Sequence, residues 1–465
     1  MENIPKKISG CSRATPWLYR ERAFVRLSIA VMFALLMSVP VWGQADNGAA
    51  GQAEDTQMQT PPPVSGAAFP TAVGNEERSN YLRMGVTVSG GYIDNLYAGQ
   101  TGSSLRETTY TVAPTISFDR SSSVQHATVR YSPGFIFYQP NSVLNEASQT
   151  AAAEYSLRFT PHTAMNLSDA FQDTSTAFGS AYAGVGGTVS GSLQSQAPGV
   201  VPPFAQLRSN MANGEFTAQF SRASMFGFSG MDAILQYPNS SETAGLGNSS
   251  SRGGSIFYNR RVSGSQYMGV TYQYSEFLTS LADGSSQTQT HSVNAFYSFS
   301  PTERLSLSVS GGPQYYTFSQ TSFPVQTGWG PAVIASMGWQ GDRTSFAVNY
   351  SRAVTGGGGI LGVFNNSTAG ASASWEATRN WTAAATANYS DYQTLTVLAI
   401  AGEQGGHSVS GGANLRRALG KQLQIGFEYE RIHETYAGIS SITSNPNSDR
   451  ETVSLTWRFA RPLGE

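Results

Sequence analysis

Cysteine is nearly absent: the 465-residue chain has one, Cys11, which precedes the longest apolar run instead of following it. That position excludes a disulfide framework and lipoprotein acylation after the run, and it leaves no thiol chemistry downstream. Charge is sparse as well. Asp, Glu, Lys and Arg make up 12% of residues, which suits neither a helical enzyme nor a disordered acidic chain. Lysine all but disappears, because Lys421 is the only one after Lys7. Beyond the N-terminal region no apolar run approaches the length of a membrane helix, and mean hydropathy is −0.24, so helical membrane spans are excluded. A transmembrane barrel gives the same average, because each strand shows only every second residue to lipid.

What is present is a repeated two-residue period. In the last hairpin Leu423, Ile425, Phe427 and Tyr429 alternate with Gln424, Gly426, Glu428 and Glu430, and Val453, Leu455, Trp457 and Phe459 alternate with Thr452, Ser454, Thr456 and Arg458. Each segment has one apolar and one polar face, as a half-buried strand does. The pattern recurs upstream at intervals of roughly forty residues. Short turns at Asp119-Arg120-Ser121-Ser122, Thr160-Pro161-His162, Arg222-Ala223-Ser224, Ser263-Gly264-Ser265, Pro301-Thr302-Glu303-Arg304, Gly341-Asp342-Arg343, Arg379-Asn380 and Leu419-Gly420-Lys421 alternate with longer segments such as Pro238 to Ser250 and Thr355 to Ser367. Short turns on one rim and long loops on the other imply an all-β, up-and-down antiparallel transmembrane barrel of about 18 strands, with both termini on the short-turn side.

The N-terminus reads as an export signal. Lys6, Lys7, Arg13, Arg20, Arg22 and Arg26 precede the apolar run Leu27 to Val39, and small residues near Gly43 and Ala45 offer a cleavage site. The expected organisation is a signal peptide at 1–44, a flexible periplasmic extension at 45–80 containing Pro61-Pro62-Pro63, and a barrel at 81–465. Loss of the signal removes six of the 28 basic and two of the 30 acidic residues, leaving a formal charge of about −6. No basic surface recommends nucleic acid as a partner.

Aromatic placement supports the membrane reading. Phe118, Phe159, Phe220, Phe299, Trp339 and Trp375 stand just before short turns, with Trp457 and Phe459 at the equivalent place. Tyr92, Tyr138, Phe171, Tyr237, Tyr274, Tyr316, Tyr350, Tyr389 and Tyr429 stand near the long loops. Two aromatic rings at the two membrane interfaces are expected. The other strand face is Ser, Thr, Asn, Gln and Gly, and the candidate pore-lining residues are Arg130, Glu154, Arg158, Glu215, Gln273, Asn294, Asn349, Asn388, Glu428 and Arg458. The segment from about Thr174 to Asn210 is much longer than its peers and has no charged residue between Asp173 and Arg208, so it is the expected constriction.

Catalytic motifs find no support. His126, His162, His291, His407 and His433 fall on different hairpins without metal-ligand spacing. Gly357-Gly358-Gly359-Ile360-Leu361-Gly362 matches the dinucleotide fingerprint by letter but lies in a hairpin with no following helix, and no Gly-x-Ser-x-Gly elbow occurs. A rim hydrolase would have to draw on Asp169, His407 or Ser408, whose spacing does not favour it. Neither an enzymatic activity nor a cofactor is expected.

The signal, the up-and-down hairpins and segments such as Thr115-Ile116-Ser117-Phe118-Asp119-Arg120 and Tyr131-Ser132-Pro133-Gly134-Phe135 resemble the porin-type β-barrel outer-membrane proteins of diderm bacteria, some of which accompany exopolysaccharide gene clusters. The resemblance covers about Asn80 to Arg461. It implies outer-membrane lipid and the barrel-assembly machinery as partners. It also implies a porin-like passive channel for small polar solutes, or alternatively a structural or exopolysaccharide-secretion-associated barrel whose loops bind a partner. One departure is that Ala460 to Glu465 follow Phe459, whereas such proteins usually end on the terminal aromatic.

Overall fold

The computed structural model describes residues 80–96, 104–175, 206–238, 247–281, 284–320, 323–357, 360–395, 405–437 and 447–463. The signal, the extension and most of the long segment expected to constrict the pore lie outside the described residues.

The strands are β1 (Tyr81–Ile93), β2 (Glu107–Ser121), β3 (Gln125–Gln139), β4 (Glu146–Thr160), β5 (Thr163–Thr174), β6 (Leu207–Ser221), β7 (Ser224–Gln236), β8 (Asn248–Ser263) and β9 (Gln266–Leu281), followed by β10 (Gly284–Thr302), β11 (Leu305–Gln320), β12 (Gln326–Gln340), β13 (Thr344–Gly357), β14 (Ile360–Thr378), β15 (Trp381–Thr394), β16 (Gly405–Ala418), β17 (Leu423–Ala437) and β18 (Asn447–Pro462). Each pairs antiparallel with its sequence neighbours in one 18-stranded sheet. β1 also pairs with β18, from Tyr81 opposite Pro462 to Ile93 opposite Arg450, so the sheet closes on itself. Closure leaves no sheet edge, which is what allows strands to cross a membrane at all. The start of β1 and the end of β18 lie on the rim that carries the short connections.

Register sets the two faces. Met84, Val86 and Val88 stand opposite Phe459, Trp457 and Leu455, and all are solvent-accessible on the outside. The residues between them turn inward, where Thr87 and Thr456 share a 3.0 Å hydroxyl hydrogen bond. The same phase runs round the sheet. Ile256 is 63% exposed and Phe228 52%, a display of apolar surface that a water-soluble protein would bury.

Three tyrosines depart from the expected upper ring. Tyr138, Tyr237 and Tyr316 fall on the inward phase of their strands, and Tyr138 and Tyr237 are buried there at 1% and 4% exposure. Position near a long loop located them correctly, but the two-residue phase decides the face. Tyr92, Tyr350, Tyr389 and Tyr429 do face outward and are exposed.

Face assignment has an energetic consequence. Arg placed at Val348 or Ala385, which turn outward at mid-strand, should cost roughly 2–4 kcal/mol in a lipid-based unfolding titration. Arg at the neighbouring inward positions Asn349 or Thr386 should cost little, and equal costs at the two faces would contradict the phase.

Candidate functional site

The inner face is where this sheet can do chemistry. All ten candidate pore-lining residues lie on it: Arg130 opposite Ser117, Glu154 opposite Thr128, Arg158 opposite Ala164, Glu215 opposite Ser229, Gln273 opposite Ser292, Asn294 opposite Thr271, Glu428 opposite Thr452 and Arg458 opposite Gly85, with Asn349 and Asn388 flanking Gly370. Their partners are small or polar. Charge, however, is divided unevenly round the circumference. β16 to β4 carry Arg416, Glu428, Glu430, Glu434, Arg450, Arg458, Arg83, Glu107, Asp119, Arg130, Glu146, Glu154 and Arg158 on the inner face, and Glu215 follows on β6. From β7 to β15 the described inner positions are neutral apart from Arg261 and Glu376 beside the short turns.

A hairpin enters the lumen from this neutral side. β12 and β13 pair from Gln340 opposite Ser345 up to Val333 opposite Arg352 and no further, although both strands continue. The next steps of that register would set Pro331 against Val354. Pro331 already faces Pro313 on β11. Two prolines opposite each other cannot exchange N–H bonds, so Pro331 turns its nitrogen toward β13, where it has no proton to donate. The ladder fails there, and Val354 finds another partner. Its N–H donates to Gln314 Oε1 at 2.8 Å, and its carbonyl accepts from Gln314 Nε2 at 3.0 Å. Gln314 stands on the inner face of β11, so this clamp holds β13 inside the barrel.

The rest of the hairpin follows from the clamp. Val354 and Val363 pack on Phe318 of β11, beside Tyr316. A Cβ on Gly356 would stand 2.6 Å from Phe277 Cβ on β9, so only glycine lets the backbone lie against that wall. Gly362 has φ of +139° within an irregularity that places Gly356 opposite Val363 and Gly357 opposite Ile360. The described residues of the glycine run that imitated a nucleotide fingerprint are therefore strand, Gly357 ending β13 and Ile360 to Gly362 opening β14. The segment Thr355 to Ser367, expected as a loop, is strand throughout its described length. On its other face Phe364 packs with Leu207, Leu235, Tyr237, Tyr392 and Tyr436. These come from β6 and the end of β7 on one side and from β15 and β17 on the other, so Phe364 joins opposite walls of the barrel. Between hairpin and wall a cavity of about 20 Å³ remains, lined by Gln273, Ser275, Thr290, Ser292, Asn294 and Gln314 among others, room for roughly one water.

The sequence did not announce the inward hairpin held by Gln314, Val354 and Phe364, and the 174–210 segment expected as a constriction lies largely outside the described residues. The available signal was the proline pair at 313 and 331, which breaks a ladder only once the register is known.

On β1, β3 and β17, toward the long loops, the inner face is apolar and its acids are withdrawn. Ile93, Leu96, Tyr138 and Ile432 form a second cluster. Glu107 is buried and accepts from the Asn141 amide, and Glu430 pairs with Arg450. Glu434 is fully buried, without a hydrogen-bond partner for either carboxylate oxygen.

The residues considered for catalysis do not converge. Asp169 faces outward and accepts from Asn210 Nδ2 at 2.9 Å. His407 and Ser408 are successive strand residues on opposite faces. His407 and His433 do meet outside, with ring centroids 5.9 Å apart. Among the described residues no group of three His, Cys, Asp or Glu is arranged to hold a metal.

The outer face shows what surrounds the barrel. Ion pairs Arg208–Asp173 at 2.9 Å, Arg252–Asp232 at 3.0 Å and Arg431–Asp449 at 3.6 Å mark its long-loop end. Arg417, stacked 5.2 Å from the Trp381 ring centroid, and Arg260 mark the short-turn end. Between Arg252 and Arg260 the outward residues are Gly254, Ile256 and Tyr258. That interval is roughly 26 Å of strand at about 3.3 Å per residue, or about 20 Å of height after a tilt of roughly 40°. An apolar belt of bilayer dimensions, bounded by charge on both sides, decides the matter. The chain is an outer-membrane β-barrel.

No family model matches this barrel's sequence, and no curated protein matches it. Among solved structures it is similar to OccK2 (OpdF) of Pseudomonas aeruginosa, at 10% identity over 82% of this chain and 98% of that one, with a TM-score of 0.40. It is likewise similar to the outer membrane protein OpdK of Pseudomonas aeruginosa, solved with vanillate, at 8% identity over 82% and 99%, TM-score 0.40. The FrpB iron transporter from Neisseria meningitidis (F5-1 variant) matches at 7% identity over 82% and 83%, TM-score 0.41. At such identities the likeness is one of fold alone.

Proposed function

We propose that this outer-membrane barrel is a passive channel for small polar solutes, with the β13–β14 hairpin as its constriction. The observation that carries the reading is the inner face itself. An 18-stranded wall is too wide for its own side chains to fill, and Ser, Thr, Asn, Gln and a charged arc line it. The hairpin, clamped by Gln314, narrows the upper part of that space. Arg130, Glu154, Arg158, Glu215, Asn349, Asn388, Glu428 and Arg458 line the path on this reading. Gln273 and Asn294 are screened by the hairpin, beside the small cavity it closes. Residues 1–44 act as the export signal, 45–80 extend into the periplasm, and the short-turn rim and both termini face the periplasm.

A second reading has one observation in its favour. The cluster of Leu207, Leu235, Tyr237, Phe364, Tyr392 and Tyr436 is apolar and buried across the upper lumen, as in a barrel that carries no solute and serves structurally or in export of a polysaccharide, its loops binding a partner.

Planar-bilayer recording separates the two. The purified barrel should give stepwise conductance. A variant joining Ala353 to Asn366, register partners in the hairpin, by a two-residue Asn-Gly turn should conduct several-fold more. Silence in both forms would favour the structural reading.

Lys421 tests orientation. It is exposed in the turn between β16 and β17 and is the only lysine after residue 7. A membrane-impermeant amine reagent should leave it unlabelled on intact cells and label it once the outer membrane is permeabilised. Efficient labelling of intact cells, with a periplasmic control protein dark, would place the short turns outside.

A further inference from the structure

The charged arc of the lumen is ordered along the barrel axis in a way the sequence did not reveal. Arg83, Arg158, Arg416 and Arg458 all lie within four residues of the short-turn ends of β1, β4, β16 and β18, and Arg130 lies five residues into β3. These strands, with β17 and β2, form one contiguous wall. Arg416 and Arg458 each face a glycine, Gly426 and Gly85. No side chain stands opposite, and each arginine stem lies across bare backbone, its Cγ within 3.8 and 3.7 Å of where the missing Cβ would be. Arg158 faces Ala164 in the same manner. Arg158, Arg416 and Arg458 make no ion pair among the described residues.

Acids on this wall do not cancel the excess. Asp119 lies 3.9 Å from Arg83 and 3.5 Å from His126, which leaves Glu154 and Glu428 against the remaining arginines. The acids nearer the mouth are engaged or withdrawn: Glu107 by Asn141, Glu146 by Tyr138, Glu430 by Arg450, and Glu434 by complete burial. The facing wall, β7 to β15, is neutral over most of its height. A passing ion in the short-turn half therefore meets five arginines against three acids, a net positive arc, on one side and hydroxyl and amide groups on the other. Charge of one sign on a low-dielectric wall focuses its field into the lumen, and guanidinium forks match oxyanions.

We propose that Arg416 and Arg458 form an oxyanion site in the short-turn half of the lumen, with Arg158 further round the same wall, and that the channel prefers small anionic solutes to cations. This rests on the channel reading, and the test keeps the two apart. Reversal potentials of the full-length barrel under a KCl gradient should show chloride favoured several-fold over potassium. R416E/R458E should reverse the sign of that potential, whereas R416K/R458K should keep it, with unboiled gel mobility confirming that each variant is folded. Millimolar citrate or inorganic phosphate added to the short-turn side should reduce chloride current in the wild type and not in R416E/R458E. Block by citrate alone would assign the site to carboxylates, and block by phosphate alone to phosphates. A conducting wild type that favours potassium, or a folded R416E/R458E with unchanged selectivity, would overturn the site while leaving the channel in place. Absence of conductance would remove the channel reading and the site together.

Discussion

Every amide and carbonyl in a membrane-spanning wall needs a partner within the protein, because lipid supplies none. The closed ladder meets that demand nearly everywhere by pairing neighbour with neighbour, ending with β18 against β1. At Pro331 it cannot. The local solution, a glutamine side chain that presents acceptor and donor together to Val354, takes over the role of the missing strand partner and at the same time moves β13 off the wall into the lumen. A backbone constraint thus becomes a feature of the barrel's interior.

From there the arrangement is a sequence of physical consequences. Once β13 parts from β12 and the hairpin leans inward, with β14 still paired to β15 through Phe364, side chains that register would have sent to lipid, Val354 and Val363, are carried inside and need an apolar floor, which Phe318 provides. The opposite face of the hairpin then looks across the lumen, and Phe364 fills that space against Tyr392 and Tyr436 on one side and Leu207, Leu235 and Tyr237 on the other. The tyrosines that strand phase turns inward find their partners in these and a neighbouring cluster. Two of them pack in apolar clusters beside the hairpin or across from it, and Tyr138 donates to Glu146 Oε1 at 3.1 Å in the neighbouring cluster.

The architecture was readable because the governing rule is local. A two-residue alternation of apolar and polar residues states which face is which, and short turns at Arg222-Ala223 or Arg379-Asn380 state where strands reverse, so strand number and phase follow without knowledge of any distant contact. The outward positions of Val348 and Ala385 and the inward ones of Asn349 and Thr386 are of this kind. The inward hairpin was not readable, because it depends on Pro313 meeting Pro331, on Gln314 reaching Val354, and on Phe364 reaching residues far off in the chain. Length and lack of charge pointed to the 174–210 segment, most of which lies outside the described residues. The arginine arc was hidden for the same reason: Arg416, Arg458, Arg83 and Arg158 are distant in sequence, and only closure of β18 on β1 makes their strands one wall.

The central claim is that the upper β13–β14 hairpin lies inside the barrel on β11, and thiol trapping tests it most directly. Cysteines substituted for Phe318 and Val354 would be free of competing thiols in a chain whose only cysteine is Cys11. Were β13 to continue its regular register along β12, position 354 would face lipid and 318 the lumen, on opposite sides of the wall. If the hairpin is inside, F318C/V354C should be joined by a short bifunctional thiol reagent in the folded barrel, without affecting its gel mobility before boiling. Failure to cross-link in a barrel that is folded, with both thiols reactive to a monofunctional reagent, would contradict the inward hairpin and the account built on it.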